Sequence, residues 1–253
     1  MTDRSTRRKL ITTGLAAAAG ASGLAIAARI ADHYGLIPPD HGGIYGIGET
    51  LTYGAQRLLT AHHSLAREFN RSEITKVIPV NGDPPERETY QRLLAGRFAQ
   101  WRLSIGGMVA RPISLSLAEL KAFPSRTQIT NQACEEGWSF IAEWTGVPVS
   151  YVLNLAGVHP QAKYVVFFPF DPSWESIDMQ DALHPQTLLA YGLNGKQLPT
   201  PHGAPVRLRV ARQLGYKSVK YLSHITVTDT VKNLGEGLGS YSPEIGYSWY
   251  AGI

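Results

Sequence analysis

The sequence has almost no cysteine, since Cys134 is the only one among its 253 residues. A single cysteine excludes an internal disulfide, and it excludes the Cys-x-x-Cys-His motif that attaches haem covalently. Three interpretations of Cys134 remain open from residue type alone. It is a buried small apolar residue, a reactive thiol, or one thiolate ligand of a metal whose other ligands come from elsewhere.

The sequence also lacks a basic run of the kind that binds nucleic acid. Its 24 Lys and Arg residues against 20 Asp and Glu residues give a formal charge of only +4. This mild excess argues against a nucleic-acid partner and leaves enough cations for one small anionic ligand. Beyond the N-terminal segment, no apolar stretch reaches the length of a membrane-spanning helix.

Residues 1–31 are typical of an export segment rather than of a fold. Arg7 and Arg8 precede the apolar stretch Leu10 to Ala28, which resembles a twin-arginine signal. Ala25-Ile-Ala27 offers a cleavage site, but a stretch of about 18 apolar residues can also span a bilayer as an anchor. A cleaved signal and a retained anchor therefore both stay open. Because the twin-arginine pathway carries folded proteins, we expect a periplasmic protein that acquires a cofactor before export.

After this segment, the sequence predicts an N-terminal extension over residues 32–80 and a domain over residues 81–253. Alternating or apolar runs predict strands near residues 101–105, 127–132, 163–170, 205–210 and 218–229. Helical spacing, caps and stop signals predict helices near residues 58–69, 86–98, 116–123, 149–156 and 184–191. The fold class expected is α+β, with mixed strands and short helices.

Five short motifs occur in a characteristic order along the domain: Cys134-Glu-Glu-Gly-Trp138, Trp144-Thr-Gly-Val-Pro148, His184-Pro-Gln-Thr187, His202-Gly-Ala-Pro-Val-Arg207 and Leu214-Gly-Tyr-Lys217. Together with the leader, they resemble the sulfite oxidase family of molybdopterin enzymes. The nearer resemblance is to its small bacterial branch, which includes the catalytic subunit of the periplasmic methionine sulfoxide reductase. The resemblance implies a sulfite oxidase-like molybdopterin-binding domain.

The resemblance implies a catalytic role for Cys134, as the one protein ligand of a molybdenum ion. Two more sulfurs would come from the dithiolene of a single molybdopterin, which explains how one cysteine suffices. Glu136 matches a family glutamate close to the metal, where a carboxylate relays protons. An ordinary salt bridge is the alternative for Glu136. Glu135 has no family counterpart and is expected at the surface.

The resemblance also implies a binding site for the terminal phosphate of the pterin, built from cations and backbone amides. The residues carried over by position are His202, Arg207, Ser218, Val219 and Lys220, with Arg212 and Lys217 as secondary cations. Arg207 has a plain alternative as part of the polar face of a strand. Asn81 matches loosely a pterin-binding asparagine, and an ordinary Asn-Gly turn explains it equally well.

The aromatic C-terminal segment, with Tyr247 and Tyr250, is expected to line the mouth of the substrate pocket. Core packing is the alternative for these rings. Two positions depart from the reductase branch, since Ala133 replaces an arginine and Pro169 replaces a threonine. The identity of the substrate is therefore not implied by the resemblance.

The function implied is two-electron oxygen-atom transfer to or from a sulfur-containing small molecule or sulfoxide. Because the sequence has no haem attachment motif, electrons would be exchanged with a separate cytochrome or membrane haem subunit. The chain ends before the dimerisation domain of larger members, so a monomer is expected. Two other functions stay open: an exported protein that binds molybdopterin without turnover, and a hydrolase with Cys134 as nucleophile and a histidine such as His184 as base.

Overall fold

The computed structural model describes residues 23, 25–32, 35–59 and 64–253. The paired arginines of the predicted leader, and most of its apolar stretch, lie outside the described residues. Within those residues, no helix is both long enough and apolar enough to cross a membrane.

Two five-stranded sheets form the framework. The first has the order β2-β1-β10-β5-β6. Its strands are β1 (Arg102–Gly107), β2 (Ile113–Ser116), β5 (Tyr164–Pro169), β6 (Glu175–Asp178) and β10 (Leu222–Thr228). Neighbouring strands are antiparallel except for β1 and β10, which run parallel. Leu103 and Ile105 are buried while Arg102 and Ser104 are exposed, so β1 shows the alternation expected of a sheet with one covered face.

The second sheet carries Cys134 at its end. Its strands are β3 (Arg126–Ala133), β4 (Ser139–Pro148), β7 (Thr187–Leu193), β8 (Lys196–Gln197) and β9 (Arg207–Val210). They run in the order β3-β4-β7-β8, and β9 also pairs with β7, on the side away from β4. Strands β3 and β4 form a hairpin that pairs Ala133 with Ser139, so the tight connection of residues 134–138 holds Cys134 at the end of the sheet.

Short helices connect and cover the sheets. They are α1 (Ile47–Leu59), α2 (Glu88–Ala95), α3 (Leu117–Ala122), α4 (Val149–Ala156), α5 (Met179–Ala182) and α6 (Tyr241–Glu244), and residues 25–32 are also helical. The capping box predicted at the start of α3 is confirmed, because the Ser116 hydroxyl accepts from the Glu119 amide while the Glu119 carboxylate accepts from the Ser116 amide. The predicted end of α4 is confirmed as well, with Gly157 left-handed at a φ of 73°.

The main core lies between the two sheets. It joins Leu103 of β1, Phe167 of β5 and Ile225 of β10 to Leu189 of β7 and Leu208 of β9, all at most 2% exposed. This packing of helices and two sheets confirms the predicted α+β class.

Two predicted helices are wrong. Residues 184–191 were expected to be helical, but residues 187–193 form strand β7, which pairs with β4 on one side and β9 on the other. Most of β7 is buried, and periodicity alone does not separate such an apolar strand from a buried helix. Residues 58–69 also differ. Helix α1 ends at Leu59, and Glu68 instead forms an antiparallel bridge with Thr130 at the edge of β3.

The N-terminal extension is fastened to the domain by a buried ion cluster. Arg57 of α1 lies 2.9 Å from a carboxylate oxygen of Asp178 and 2.6 Å from one of Asp181. Tyr53, one turn earlier, donates its hydroxyl proton to Asp178 at 2.9 Å. Asp178 also caps α5 by accepting from the Asp181 amide. One guanidinium therefore pairs with two carboxylates in the interior.

Replacing Arg57 by Met should destabilise the protein strongly, because two carboxylates would be left buried without their cation. We expect the free energy of unfolding to fall by about 3–5 kcal/mol, measured by chemical denaturation. Arg92→Met is the matched control, since the ion pair of Arg92 with Glu88 is largely exposed and should contribute at most about 1 kcal/mol. Equal losses in the two variants would contradict this interpretation of the cluster.

Candidate active site

A cavity of about 530 Å³ opens between the β3–β4 connection and the segments around β9. Seven of the residues predicted from the sequence line it: Asn81, Cys134, His202, Arg207, Ser218, Val219 and Lys220. These residues are widely separated along the chain, and the fold brings them to one place. Their individual roles remain predictions.

Cys134 is held at one end of the cavity by the hairpin connection. Its amide donates to the Trp138 carbonyl at 2.8 Å, and its carbonyl accepts from the Gly137 amide at 3.1 Å. Gly137 has a φ of +91°, a conformation that glycine adopts readily and other residues rarely do. The turn therefore fixes the backbone of Cys134 while leaving its side chain directed to the cavity, at 8% exposure.

Three polar groups surround the Cys134 sulfur. The nearest is a Glu135 carboxylate oxygen at 3.3 Å, followed by a Glu136 oxygen and the Asn81 amide nitrogen, each at 3.9 Å. The same Glu136 oxygen accepts from the Trp138 indole at 2.8 Å, which orients the carboxylate. Burial, more than any other cause, raises the pKa of the thiol to about 11. The chain alone thus keeps Cys134 protonated, and a bound metal cation would be needed to stabilise its thiolate.

The two glutamates differ from expectation in one respect. Glu135, expected at the surface, lines the cavity, whereas Glu136, expected beside the metal, is exposed. Both carboxylates are nevertheless within 4 Å of the sulfur. Either one is placed to hold a proton beside the Cys134 end of the cavity.

The lining of the cavity also includes two cations, Arg207 and Lys220. Arg207 is 3% exposed and donates to the carbonyls of His202 at 3.0 Å and Ser218 at 2.7 Å. Lys220 donates to the carbonyls of Pro201 and Asn81. Neither cation forms a salt bridge with a carboxylate of the described residues. Burial lowers the pKa of Arg207 to about 10, and burial followed by repulsion from Arg207 lowers that of Lys220 to about 8.

Two backbone segments bring these cations together. The Leu208 amide donates to the Val219 carbonyl, and the Leu222 amide donates to the Val206 carbonyl. Gly203 allows the close crossing of the segments, because a Cβ at this position would lie within about 3.1 Å of both Lys220 and Arg207. Arg207 and Lys220 therefore face one cavity although they lie on different segments.

A second arginine of β9 lies behind the first. The guanidinium groups of Arg207 and Arg209 lie 5.2 Å and 5.6 Å from the centre of the Trp144 ring. Arg209 is fully buried and bonds to Thr130 and to the carbonyls of Asn131 and Val210, but its Nε has no partner. Burial, followed by repulsion from Arg207, lowers the pKa of Arg209 to about 9.

These residues fit a cofactor that brings both an anion and a metal. Buried cations that lack a carboxylate partner suit a phosphate, which accepts several charge-assisted hydrogen bonds. No group of three or more His, Cys, Asp or Glu side chains in the described part of the chain is arranged to hold a metal ion. A metal at Cys134 would therefore need most of its ligands from outside the protein.

Besides Glu136, four predicted site residues are not brought to the cavity wall. Lys217 is fully buried and pairs with Glu175 at 2.8 Å, so its charge is already neutralised. Arg212 lies outside the cavity lining. Tyr250 packs edge-on against Tyr53, which agrees with the alternative of core packing. Tyr247 stacks on Tyr216 with the ring centres 5.3 Å apart, and it is Tyr216, not Tyr247, that lines the cavity.

The prediction from sequence missed several lining residues, including Gln132, Trp138, Phe140 and Tyr216. Trp138 and Tyr216 stand inside the motifs quoted above, so the motifs carried a usable signal for them. Gln132 and Phe140 lie on β3 and β4, and only the pairing of these strands shows that both face the cavity. His184, the proposed base of a hydrolase, bonds to the Ser64 carbonyl and lies outside the lining, so the structure does not unite it with Cys134.

Comparison with known proteins agrees with this site. Residues 92–234, more than half of the chain, match the oxidoreductase molybdopterin-binding domain. The chain belongs to this family. It is therefore a molybdopterin-dependent oxidoreductase, and the predicted molybdenum-molybdopterin cofactor is confirmed for the family. The matched residues fall within the predicted domain of residues 81–253, whose bounds stay a prediction.

Several individual proteins are similar to this member of the family. A protein of Azospira oryzae, provisionally named a protein-methionine-sulfoxide reductase subunit (YedZ1), is 38% identical over 193 residues, covering 75% of this chain and 69% of that protein. The protein-methionine-sulfoxide reductase catalytic subunit MsrP of Xanthomonas axonopodis pv. citri is 40% identical over 145 residues, covering 51% of this chain and 45% of that protein. The chain thus spans about half the length of this second relative.

A solved structure shares the fold. The sulfane dehydrogenase SoxCD of Paracoccus pantotrophus superposes with a TM-score of 0.51 at 27% identity, over 53% of this chain and 40% of that chain. This similarity confirms the predicted sulfite oxidase-like fold.

Binding of a simple anion to the cofactor-free protein should depend on pH through Lys220. Its pKa of about 8 means that the ammonium is charged near pH 7 and neutral near pH 9, so affinity should fall across this range. Sulfate is a suitable probe because its own charge is constant there, and titration calorimetry measures its affinity. Lys220→Met should bind more weakly at pH 7, and its affinity should fall less across this range. An unchanged pH dependence in that variant would contradict the assignment.

Proposed function

We propose that this chain is the catalytic component of an exported molybdenum oxidoreductase that transfers an oxygen atom to or from the sulfur of a small molecule or sulfoxide. The observation that carries the proposal is the cavity, whose lining combines Cys134 with Arg207 and Lys220, two cations that form no salt bridge among the described residues. A cofactor that carries both a phosphate and a metal suits this combination.

The names of the relatives support the substrate class. MsrP is named for reduction of methionine sulfoxide and SoxCD for dehydrogenation of sulfane sulfur, so both names refer to sulfur chemistry. The cavity itself offers an aromatic wall, since the rings of Trp138 and Phe140 stack at 6.0 Å near Cys134. Aromatic rings make favourable contacts with divalent sulfur, which fits a thioether as substrate or product.

The roles of the chain follow from the residues that line the cavity. When bound, the cofactor would supply the two-electron redox chemistry and would donate or accept the oxygen atom. Cys134 would be the protein ligand of the metal. Arg207, Lys220 and His202 would hold the phosphate together with the backbone at Ser218 and Val219. Glu135 or Glu136 would hold one of the two protons that are taken up when an oxygen is lost as water, or released in the reverse direction.

Electrons would be exchanged with a separate protein, and we place the reaction in the periplasm. The sequence has no Cys-x-x-Cys-His motif, so the chain cannot attach its own haem in that way. The relatives named MsrP are named as catalytic subunits, which supports a redox partner. A cytochrome or a membrane haem subunit is the partner proposed. The leader with Arg7 and Arg8 supports export.

Turnover with defined sulfur compounds tests the proposed function. The chain, produced in a host that makes the cofactor, should oxidise reduced viologen when methionine sulfoxide or dimethyl sulfoxide is added. If the physiological direction is the reverse, it should reduce ferricyanide with sulfite or another reduced sulfur compound. Molybdenum-loaded protein that is inactive with all of these compounds in both directions would contradict the proposal.

Cys134→Ser should abolish turnover and lower the molybdenum content per chain, because the only protein thiolate is lost. The fold should persist, since the substitution changes one atom at the rim of the cavity. Elemental analysis measures the metal, and circular dichroism measures the fold. Ala133→Ser, the adjacent position in the same hairpin, is the control and should keep its metal. Equal molybdenum together with equal turnover in the two variants would contradict the assignment of Cys134 as the ligand.

A further inference from the structure

Helix α1 presents its polar residues to the protein and its apolar residues to the outside. Glu49, Tyr53 and Arg57 follow one another at helical spacing and are only 9%, 3% and 8% exposed. Ile47 and Leu51, on the other side, are 79% and 67% exposed. A helix on a water-facing surface normally has the opposite arrangement.

The apolar side of the helix is part of a larger surface. We call it the outer face, and it comprises Ile44, Tyr45, Ile47, Leu51, Leu58 and Leu59, each at least 58% exposed. Between Gly43 and Leu59 the only charged residues are Glu49 and Arg57, and both are buried. The exposed side of this segment therefore carries no charge. Concentrated apolar exposure of this kind marks an interaction surface rather than a water-facing one.

The orientation of α1 is fixed by its inner side. Arg57 is tied to Asp178 and Asp181, and Tyr53 donates to Asp178. Rotating the helix to bury Leu51 would break these contacts and leave two buried carboxylates without a cation. The buried contacts of Arg57 and Tyr53 therefore keep the outer face directed away from the protein.

The end of the predicted leader lies directly beside α1. The Leu36 amide donates to the Ala31 carbonyl at 2.8 Å, which links residue 36 to the helical stretch 25–32. The Leu36 carbonyl oxygen lies 3.3 Å from where a Cβ on Gly54 would be, so this segment packs closely on α1. Asp32 and Leu58 also line one second cavity. The apolar sequence Leu10 to Ala28 therefore leads into a helical stretch that is followed by Leu36, which packs on α1.

We propose that the outer face of α1 docks on the surface of a lipid bilayer. Its aliphatic side chains would enter the boundary between headgroups and acyl chains, with Tyr45 at the polar level, as in interfacial amphipathic helices. A bilayer is favoured over a second copy of the chain because Asp32, at the end of the predicted leader, lines a cavity that Leu58 of the outer face also lines. The inference rests on the leader being retained as an anchor, one of the two alternatives given above, and not on the redox chemistry.

Site-specific labels on the full chain test this docking. Leu51→Cys and Leu58→Cys are labelled with an environment-sensitive fluorophore, and unaltered protein gives the background from Cys134, which is only 8% exposed. Leu155→Cys is the control. Leu155 lies on α4, and its carbonyl accepts a hydrogen bond from Arg111 in the connection between β1 and β2, where β2 is one edge of the first sheet. Helix α1 instead bonds to Asp178 of β6, the strand at the opposite edge of that sheet. The protein is added to phosphatidylethanolamine and phosphatidylglycerol vesicles with or without shallow nitroxide-bearing lipids.

We expect the nitroxide lipids to cause loss of fluorescence at positions 51 and 58 and none at 155. Vesicle-bound chain whose labels at 51 and 58 keep their fluorescence would overturn the proposal while leaving the leader proposal intact. Self-quenching at 58 that is independent of lipid would point to a second copy and also overturn it. A chain that does not bind vesicles would overturn both, and the viologen assay would still judge the redox function separately.

Discussion

The site depends on burying positive charge without a carboxylate to neutralise it. Arg207 and Arg209 of β9 both lie over the ring of Trp144 and donate their hydrogen bonds mainly to backbone carbonyls. An unpaired buried cation costs several kcal/mol, so the arrangement is favourable only when an anion completes it. The pairing of β9 with β7 sets where these cations lie. Arg207 is thereby placed in the wall of the cavity that Cys134 also lines.

The chain separates two uses of its buried cations. Arg57 and Lys217 are matched by carboxylates, the first by Asp178 and Asp181 and the second by Glu175. These pairs hold segments of the fold together. Arg207 and Lys220 instead bond to carbonyl oxygens and face the cavity. Among the described residues, the cations that suit a bound anion are therefore those without a carboxylate partner.

Much of this arrangement could be predicted from local signals. The capping box of Ser116 and Glu119, the stop at Gly157 and the motif around Cys134 each depend on residues close in sequence. The pairing of Lys217 with Glu175 could not be predicted, because it joins residues 42 positions apart through the fold. Strand β7 was mistaken for a helix because a run buried by strands on both sides has no distinguishing period. The outer face of α1 could not be predicted from the sequence, because it depends on the burial of Glu49 and Arg57 against the rest of the protein.

The central claim is that Cys134 binds the metal of a cofactor held by the cations that line the same cavity. X-ray absorption at the molybdenum edge of the loaded protein tests it most directly, because Cys134 is the only cysteine available. The account predicts sulfur coordination beyond the two dithiolene sulfurs of the pterin. Molybdenum bound by those two sulfurs alone, or protein without molybdenum from a host that makes the cofactor, would contradict it.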